Sequence, residues 1–279
     1  MYGLNKQMLA IDIDRWLHED IGTGDITSLL TIRSDQLGKA TILAKDSCVV
    51  AGIAVAEAVF AQLDPTLGFV ANVADGQYVE AGTNLATVTG SMQSILAGER
   101  LALNLVQRMS GIATLTSKFV AEVAGTNAKI LDTRKTTPGL RYLEKYAVTV
   151  GGGRNHRFGL YDGVLIKDNH IAALGSVFDA VTRLKGDVSH YLKVEVEVST
   201  LADVEQAIAA GADAVLLDNM KNDEMTEAVS LVDHKLLTEA SGNMSLARVL
   251  SVAITGVDLI SVGALTHSVP AVDISLNIS

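Results

Sequence analysis

The feature that most constrains the fold is a regular alternation of apolar and helical segments in the second half of the chain. Six apolar segments are predicted as strands: KILD (129–132), GVLIKD (163–168), KVEVEV (193–198), DAVLLD (213–218), KLLTEA (235–240) and DLISVG (258–263). Strands that alternate with helices favour a parallel sheet covered by helices. Glu197, Asp218 and Glu239 follow one another at intervals of 21 residues (197 to 218, 218 to 239), the length of one repeated unit. The pattern therefore predicts a β/α barrel.

The predicted barrel is incomplete, and a different domain precedes it. About 170 residues are available for the barrel, fewer than the roughly 200–250 that eight units need, so about six units are expected. Residues 37–88 instead form short alternating segments, with Asp75-Gly76 as a hairpin signal. A helix is predicted before them (10–19) and a long one after them (98–123).

The fold class that follows is α/β. We expect an N-terminal α+β sandwich domain over 1–108 and an incomplete β/α barrel of about six units over 109–268. The alternating C-terminal residues 269–279 are expected to return to the N-terminal sheet as a strand.

The charge of the chain is distributed unevenly. The 279 residues carry a formal net charge of −10, which argues against a general affinity for nucleic acid or anionic membranes. Residues 134–167, however, contain seven basic and only two acidic residues. Arginine binds carboxylates and phosphates through two parallel hydrogen bonds, and lysine acts as a compact charge. This segment therefore predicts a pocket for small polyanions, although Arg141 and Lys145 are interpreted as the basic face of an exposed helix.

Candidate site residues stand at the predicted strand ends, where β/α barrels carry their active sites. Glu197 and Asp218 end neighbouring strands and suit Mg²⁺; the alternatives are solvated strand ends or an ion pair with Lys167. The turns Ser241-Gly242-Asn243 and Gly263-Ala264 are candidates for binding phosphate through backbone N–H groups. His267 is either structural or a phosphate donor.

Several classes of protein are disfavoured by what the sequence lacks. It contains no Walker A sequence, no GxGxxG on a strand–helix unit, no HExxH and no GxSxG. The single Cys48 excludes an intrachain disulfide framework and fits a reducing, cytoplasmic location. The longest nearly apolar stretch, 48–56, is far shorter than the roughly 20 residues that cross a bilayer, so neither targeting nor membrane anchoring is expected.

Eight segments carry a resemblance to a known family, in order and over nearly the whole chain. They are EDIGTGDITS (19–28), GERLALNLVQRMSGIAT (98–114), LDTRKTTPGLR (131–141), GGGRNHRFGLYDGVLIKDNH (151–170), VEVEV (194–198), LLDN (216–219), EASGN (239–243) and ISVGALTHS (260–268). On these segments the chain resembles the quinolinate phosphoribosyltransferases, also called carboxylating nicotinate-nucleotide pyrophosphorylases.

The resemblance implies an activity, a cofactor and an assembly. Enzymes of this family transfer phosphoribose from 5-phosphoribosyl 1-pyrophosphate to quinolinate. The products are nicotinate mononucleotide, pyrophosphate and CO2, in de novo NAD biosynthesis. Mg²⁺ is the implied cofactor, and a homodimer with a shared active site is the implied assembly.

The resemblance also assigns residue roles. It implies that Arg134, His156 and Arg157 hold the dicarboxylate, together with Arg100 from the neighbouring subunit. The implied catalytic residues are Lys135, Lys167, Glu197 and Asp218, of which the two carboxylates also engage Mg²⁺ and ribose. The remaining implied substrate-binding residues are Thr133, Ser241, Gly242, Asn243, Gly263, Ala264 and His267. Asn243 departs from the glycine that many members of the family have there.

Three alternatives remain open on the sequence. A related phosphoribosyltransferase of the same fold could act on another aromatic acid. Lys167 at a strand end could form a Schiff base in a barrel lyase. A non-enzyme alternative takes residues 75–88 as a biotinyl-like carrier domain, against which the absence of a Met-Lys-Met sequence argues.

Overall fold

The computed structural model describes residues 3–279, which form two compact units. The first contains the described residues up to Leu115 together with Tyr142–Gly151 and Val269–Ser279, and the second contains Thr116–Arg141 and Gly152–Ser268. This division differs from the predicted boundary after residue 108. One segment of the predicted barrel range belongs to the first unit, because Glu144 accepts a hydrogen bond from Arg108 (2.8 Å) and Tyr146 donates one to Asp75 (2.8 Å).

The helices and strands alternate as follows. The helices are α1 (Lys6–Ile21), α2 (Ile26–Thr31), α3 (Ile53–Leu63), α4 (Met92–Glu122), α5 (Arg141–Val150), α6 (Asp168–Leu174), α7 (Val177–Asp187), α8 (Leu201–Ala210), α9 (Asn222–Val232), α10 (Leu246–Ala253) and α11 (Ala264–His267). The strands are β1 (Leu37–Ala44), β2 (Cys48–Val49), β3 (Gly68–Ala71), β4 (Tyr78–Val79), β5 (Asn84–Ser91), β6 (Lys129–Leu131), β7 (Val164–Ile166), β8 (Val194–Val198), β9 (Ala214–Asp218), β10 (Leu237–Ser241), β11 (Leu259–Ser261) and β12 (Ile274–Ile278). Within residues 3–279, no helix has the combined length and apolar character needed to cross a membrane.

The first unit is built on a four-stranded antiparallel sheet with the order β12-β1-β5-β3. Strand β1 alternates between buried and less buried residues, and Ala40, Ile42 and Ala44 are almost completely buried on one face. This period of two is that of a strand with one face on a hydrophobic core. The C-terminal strand β12 pairs with β1, with Ala44 opposite Ile274.

The hairpin expected at Asp75-Gly76 is wrong. The strands on either side, β3 and β4, pair with β5 and β2 respectively and belong to different sheets. The Asp75 carboxylate instead accepts hydrogen bonds from the N–H groups of Gly52 and Ile53, both at 3.0 Å. It thereby satisfies backbone donors at the start of α3, a helix that lies within the region expected to form the sheet.

The second unit is a six-stranded parallel sheet with the order β6-β11-β10-β9-β8-β7. The strand of this sheet that comes first along the chain, β6, pairs with the one that comes last, β11, so the sheet curls into a barrel. Among the residues described, β6 and β7 do not pair, and the barrel is open between them. The predicted incomplete barrel of about six units is therefore confirmed, as is the α/β fold class. Side-chain caps fix where the outer helices begin. For example, the hydroxyls of Ser176 and Thr200 accept the N–H groups of Asp179 and Asp203.

A close approach of two backbones in the first unit gives a stability prediction. Gly111 lies in α4, and a Cβ added there would stand 2.3 Å from the carbonyl oxygen of Pro270. Because backbone cannot move aside as a flexible side chain can, we expect Gly111→Ala to lower the free energy of unfolding by about 1–3 kcal/mol. Urea denaturation would measure this change.

The matched control is a second helical glycine. No atom lies within 4 Å of a Cβ added at Gly186 in α7, and alanine favours a helix over glycine by up to about 1 kcal/mol. Gly186→Ala should therefore leave stability unchanged or raise it. A Gly111→Ala protein as stable as the wild type would show that the helix and the C-terminal segment are not packed so closely.

Candidate active site

A cavity of about 940 Å³ opens at the C-terminal ends of the barrel strands. It brings together fourteen of the residues predicted for the site: Thr133, Arg134, Lys135, His156, Arg157, Lys167, Glu197, Asp218, Ser241, Gly242, Asn243, Gly263, Ala264 and His267. The convergence follows from the parallel sheet, because all of its strands end at the same edge.

Arg100 is the one predicted site residue that does not line this cavity in residues 3–279. It lies on α4 in the first unit, where its side chain is 61% exposed and stands 3.9 Å from the carboxylate of Glu99. A pair at this distance and exposure contributes little to stability.

The register of the strands places two carboxylates on the cavity wall. Glu197 on β8 lies opposite Leu216 on β9, and Asp218 is two residues further along β9 on the same face. The Glu197 carboxylate forms an ion pair of 2.5 Å with the ammonium of Lys167. Asp218 accepts a hydrogen bond of 2.7 Å from the side chain of Asn219. Both residues therefore present oxygen donors of the kind that Mg²⁺ binds.

The interpretation of Arg141 and Lys145 as an exposed basic face is wrong. Arg141 lines the cavity, and its guanidinium donates to the Thr136 hydroxyl (2.9 Å) and to the Phe158 carbonyl (3.1 Å). Lys145 is only 1% exposed, and the neighbouring Glu144 is completely buried. The helical spacing of these charges is as predicted, but their burial depends on partners distant in sequence.

The backbone at the ends of β9 and β10 is tightly constrained. Gly242 has φ +99°, and a Cβ there would stand 2.1 Å from the side-chain oxygen of Asn219, so no larger residue fits. Asn243 follows with φ +48°, a left-handed conformation that asparagine tolerates. Its amide donates to the Asn219 side-chain oxygen at 3.4 Å. The asparagine thus adopts a backbone conformation that glycine favours.

Three titratable side chains meet at the base of the cavity. Nε2 of His156 lies 3.1 Å from a Glu195 carboxylate oxygen and 3.7 Å from one of Glu239. Glu239 is 1% exposed, and its Oε1 is buried without a hydrogen-bond partner. Burial, and next the charge of Glu195, raise the pKa of Glu239 to about 8.

Sequence reasoning missed some residues of the site. Glu239 was noted at a strand end but not assigned to the site, and Glu195 was not singled out. The alternation in VEVEV was a usable signal for Glu195, because residues two apart on a strand share a face. The other cavity-lining residues that were not predicted are Leu165, Leu216, Asn219, Met244 and Ser261.

The raised pKa of Glu239 predicts a pH dependence of stability. A glutamate carboxyl group ordinarily has a pKa of 4.5, and in the folded chain the pKa of Glu239 rises to about 8. Between these values the folded state therefore holds a proton that the unfolded state lacks. The contribution of this proton to the free energy of unfolding is complete below pH 4.5 and is lost as the pH rises towards about 8. Glu239→Gln removes this titration, so the stability of the variant relative to the wild type should increase between pH 5.5 and pH 8.

Urea denaturation at the two pH values would measure the difference. Glu205→Gln, at an exposed position on α8, is the control for the loss of a carboxylate elsewhere. A Glu239→Gln difference that stays constant with pH would contradict a buried, protonated carboxyl group.

Comparisons with known proteins give the same picture of both units. The family model for the N-terminal domain of quinolinate phosphoribosyl transferase matches residues 25–110, and that for the C-terminal domain matches residues 112–277. The first match covers the segment considered as a carrier domain.

Individual proteins are similar over nearly the whole chain. A probable carboxylating nicotinate-nucleotide pyrophosphorylase of Bacillus subtilis is 44% identical over 99% of this chain and 95% of its own. One from Synechocystis is 45% identical over 95% of this chain and 91% of its own. The crystal structure of NadC from Streptococcus pyogenes superposes with a TM-score of 0.97 at 36% identity, covering 100% of this chain and 99% of that one. The chain belongs to the quinolinate phosphoribosyltransferase family.

Proposed function

We propose that this protein transfers phosphoribose from 5-phosphoribosyl 1-pyrophosphate to quinolinate with decarboxylation, in de novo NAD biosynthesis. The products are nicotinate mononucleotide, pyrophosphate and CO2. The observation that carries the proposal is the cavity in which cationic side chains, carboxylates and small-residue turns converge. These are the groups that a dicarboxylate, a ribose and a phosphate require.

Two arginines make the cavity suited to a dianion. Burial, and next the charge of Arg134, lower the pKa of Arg157. Two neighbouring guanidinium groups in a partly buried site repel one another, and a ligand with two adjacent carboxylates relieves that repulsion. We propose that Arg134 and Arg157 bind the carboxylates of quinolinate, with Lys167 close by.

The other side of the cavity suits phosphoribosyl pyrophosphate. We propose that the turns at Ser241-Gly242-Asn243 and Gly263-Ala264 bind the 5-phosphate through backbone N–H groups, with His267 beside them. Thr133 and Lys135 follow β6, and we assign them to the pyrophosphate side. The hydroxyl of Thr133 accepts the N–H of Lys135 at 3.0 Å, which stabilises the turn.

Glu197 and Asp218 are the residues that would hold Mg²⁺, partly through water and substrate. Their carboxylate oxygens fit a hard divalent cation. When bound, the metal would help to neutralise the charge of the pyrophosphate group. The ammonium of Lys167 forms an ion pair with Glu197, so it balances the negative charge of that carboxylate even without a metal.

The chain's own residues would act mainly by placing the reactants. The pyridine nitrogen forms a bond to the anomeric carbon as the bond to pyrophosphate breaks, and positive charge develops on the ribose. Lys135 and Lys167 would stabilise the departing anion electrostatically. The ring nitrogen is then cationic, so it stabilises the carbanion left when CO2 departs, and that carbon takes up a proton. No covalent bond to the protein is needed.

We also propose a cytoplasmic homodimer in which Arg100 completes the neighbouring subunit's site. Support comes from the family resemblance and from the exposure of Arg100, whose carboxylate neighbour Glu99 is 3.9 Å away. An exposed guanidinium with a weak partner is available to another chain. The free, buried thiol of Cys48 is in keeping with the proposed location.

The lyase alternative is less well supported. A Schiff base forms from a neutral amine, whereas the Lys167 ammonium forms an ion pair with Glu197. The remaining alternative concerns the aromatic acid on which the enzyme acts.

A comparison of substrates tests the proposed activity. With phosphoribosyl pyrophosphate and Mg²⁺, we expect quinolinate to yield nicotinate mononucleotide and CO2. Nicotinate should react at least about tenfold less efficiently, because it lacks the second carboxylate. Chromatography of the nucleotide product, with trapping of labelled CO2, would measure both reactions. A preference for nicotinate would overturn the assignment of quinolinate.

Mixing two variants with weakened quinolinate binding tests the shared site. Arg134→Ala and Arg100→Ala should each weaken quinolinate binding by about tenfold or more, because a carboxylate loses a charge-assisted partner. In a mixed dimer, the Arg100→Ala subunit keeps its own Arg134 and receives an intact Arg100. Random mixing should therefore restore about a quarter of wild-type activity, measured at low quinolinate concentration.

The control is a mixture of Arg134→Ala with Arg157→Ala. Both residues line the same chain's cavity, so no mixed dimer contains an intact site and activity should stay low. If subunit exchange is demonstrated and the activity of the first mixture also stays low, the site is not shared between subunits.

A further inference from the structure

Both ring nitrogens of His156 are engaged within the chain, although the residue lines the cavity. Nδ1 accepts a hydrogen bond of 2.7 Å from the backbone N–H of Arg157, and Nε2 lies 3.1 Å from the Glu195 carboxylate. A backbone N–H can only donate, so Nδ1 is unprotonated and the ring hydrogen is on Nε2. Nε2 therefore donates to Glu195. Neither nitrogen is left to bind a substrate carboxylate.

The backbone around His156 is also held firmly. Its N–H donates to the completely buried carboxylate of Asp132 at 2.9 Å, whose second oxygen accepts from the Asn155 amide at 2.6 Å. The N–H of Arg154 donates to the carbonyl of Ile130 at 2.8 Å. Residues 154–157 thus run beside the edge of β6 that does not pair with β7, and the imidazole reaches from there to β8.

The same three side chains could be taken for a metal site, since ligand atoms of His156, Glu195 and Glu239 lie within 4.8 Å of one another. A histidine that binds a metal through one nitrogen normally donates a hydrogen from the other. Here the other nitrogen faces a donor, the N–H of Arg157. The ring would have to lose its remaining hydrogen to bind a cation at Nε2, so the cluster is better suited to a hydrogen bond than to a metal.

Glu195 lies behind the cavity wall, where its charge also acts on Arg157 and Glu239. It is largely buried and is not among the residues that line the cavity, whereas His156 and Arg157 both are. Arg157 itself donates from its guanidinium to the Gly163 carbonyl at 3.0 Å. His156 thus holds the backbone of Arg157, and the Gly163 carbonyl holds its side chain.

We propose that His156 is a positioning residue for the aromatic dicarboxylate. Its imidazole ties the backbone of Arg157 to Glu195, and the Arg157 guanidinium, not the imidazole, contacts the substrate. This proposal rests on the proposed function and deepens it. It gives His156 a different role from the direct contact that the family resemblance implies, and it gives Glu195 a role in quinolinate binding from outside the cavity.

A double-mutant cycle between His156 and Glu195 tests the proposal. Asn at position 156 keeps an acceptor near Nδ1 but cannot reach Glu195, so His156→Asn breaks the link. Glu195→Ala breaks it from the other end. Each variant should raise the KM for quinolinate about tenfold, with the KM for phosphoribosyl pyrophosphate unchanged, and the double variant should be no worse than either single one. Glu195→Gln, whose carbonyl still accepts from Nε2, should remain close to the wild type.

The control variant is Asp213→Asn. Asp213 is a partly buried carboxylate that accepts from the N–H of Val194 at the opposite end of β8, so it tests for general damage to the barrel. Both KM values should be unchanged. If His156→Asn impairs quinolinate binding while Glu195→Ala does not, or if the two effects add, His156 contacts the substrate directly and the proposal is wrong.

A second measurement does not depend on activity. In ¹⁵N NMR spectra, the His156 signals are identified by their loss in His156→Asn. We expect a neutral ring with the hydrogen on Nε2, and the same protonation state after phthalate, a benzene-1,2-dicarboxylate, is added. A ring protonated on Nδ1, or one that changes its protonation state with phthalate, would overturn the proposal. If the enzyme fails to use quinolinate, the proposed function falls, but this experiment still decides the role of His156.

Discussion

The parallel register of the six barrel strands is the constraint on which the site depends. With Glu197 opposite Leu216, and Leu216 opposite Glu239, carboxylates from the two strands that flank β9 come to the same wall of one cavity. Side chains two residues apart on a strand share a face, so the register also fixes which charges meet. Slipping one strand by one residue would turn its carboxylate away from the cavity. The chemistry of the site is thus coupled to main-chain hydrogen bonds several residues from it.

Charge balance is the second constraint, because the cavity gathers cations and carboxylates in a partly buried space. Burial of a charge is costly unless a partner compensates it. Lys167 and Glu197 compensate one another at 2.5 Å, while Glu239 meets the cost with a raised pKa. Arg134 and Arg157 cannot compensate one another, and burial, followed by the charge of Arg134, lowers the pKa of Arg157. A chain with net charge −10 therefore contains a local region prepared for anions.

The sequence was sufficient for the fold class and for much of the composition of the site. The 21-residue spacing of Glu197, Asp218 and Glu239 predicted the barrel, because each strand–helix unit repeats locally. What it could not predict depends on partners far along the chain. Asp75 resembled a hairpin residue, but it caps α3. Lys145 resembled a surface residue but is buried, since its surroundings are set by tertiary packing.

The open edge between β6 and β7 has a consequence for how such a site can change. Elsewhere in the barrel, neighbouring strands pair through main-chain hydrogen bonds, which are the same for almost any side chain. At this edge, backbone hydrogen bonds join residue 154 to β6 and to the residue that follows it. The rest of residues 154–157 is held by hydrogen bonds that involve the side chains of Asp132, His156 and Glu195. A few substitutions there can reshape the carboxylate-binding corner while the sheet stays intact. The gap in the barrel is therefore the place where a change of acceptor substrate would require the least rebuilding.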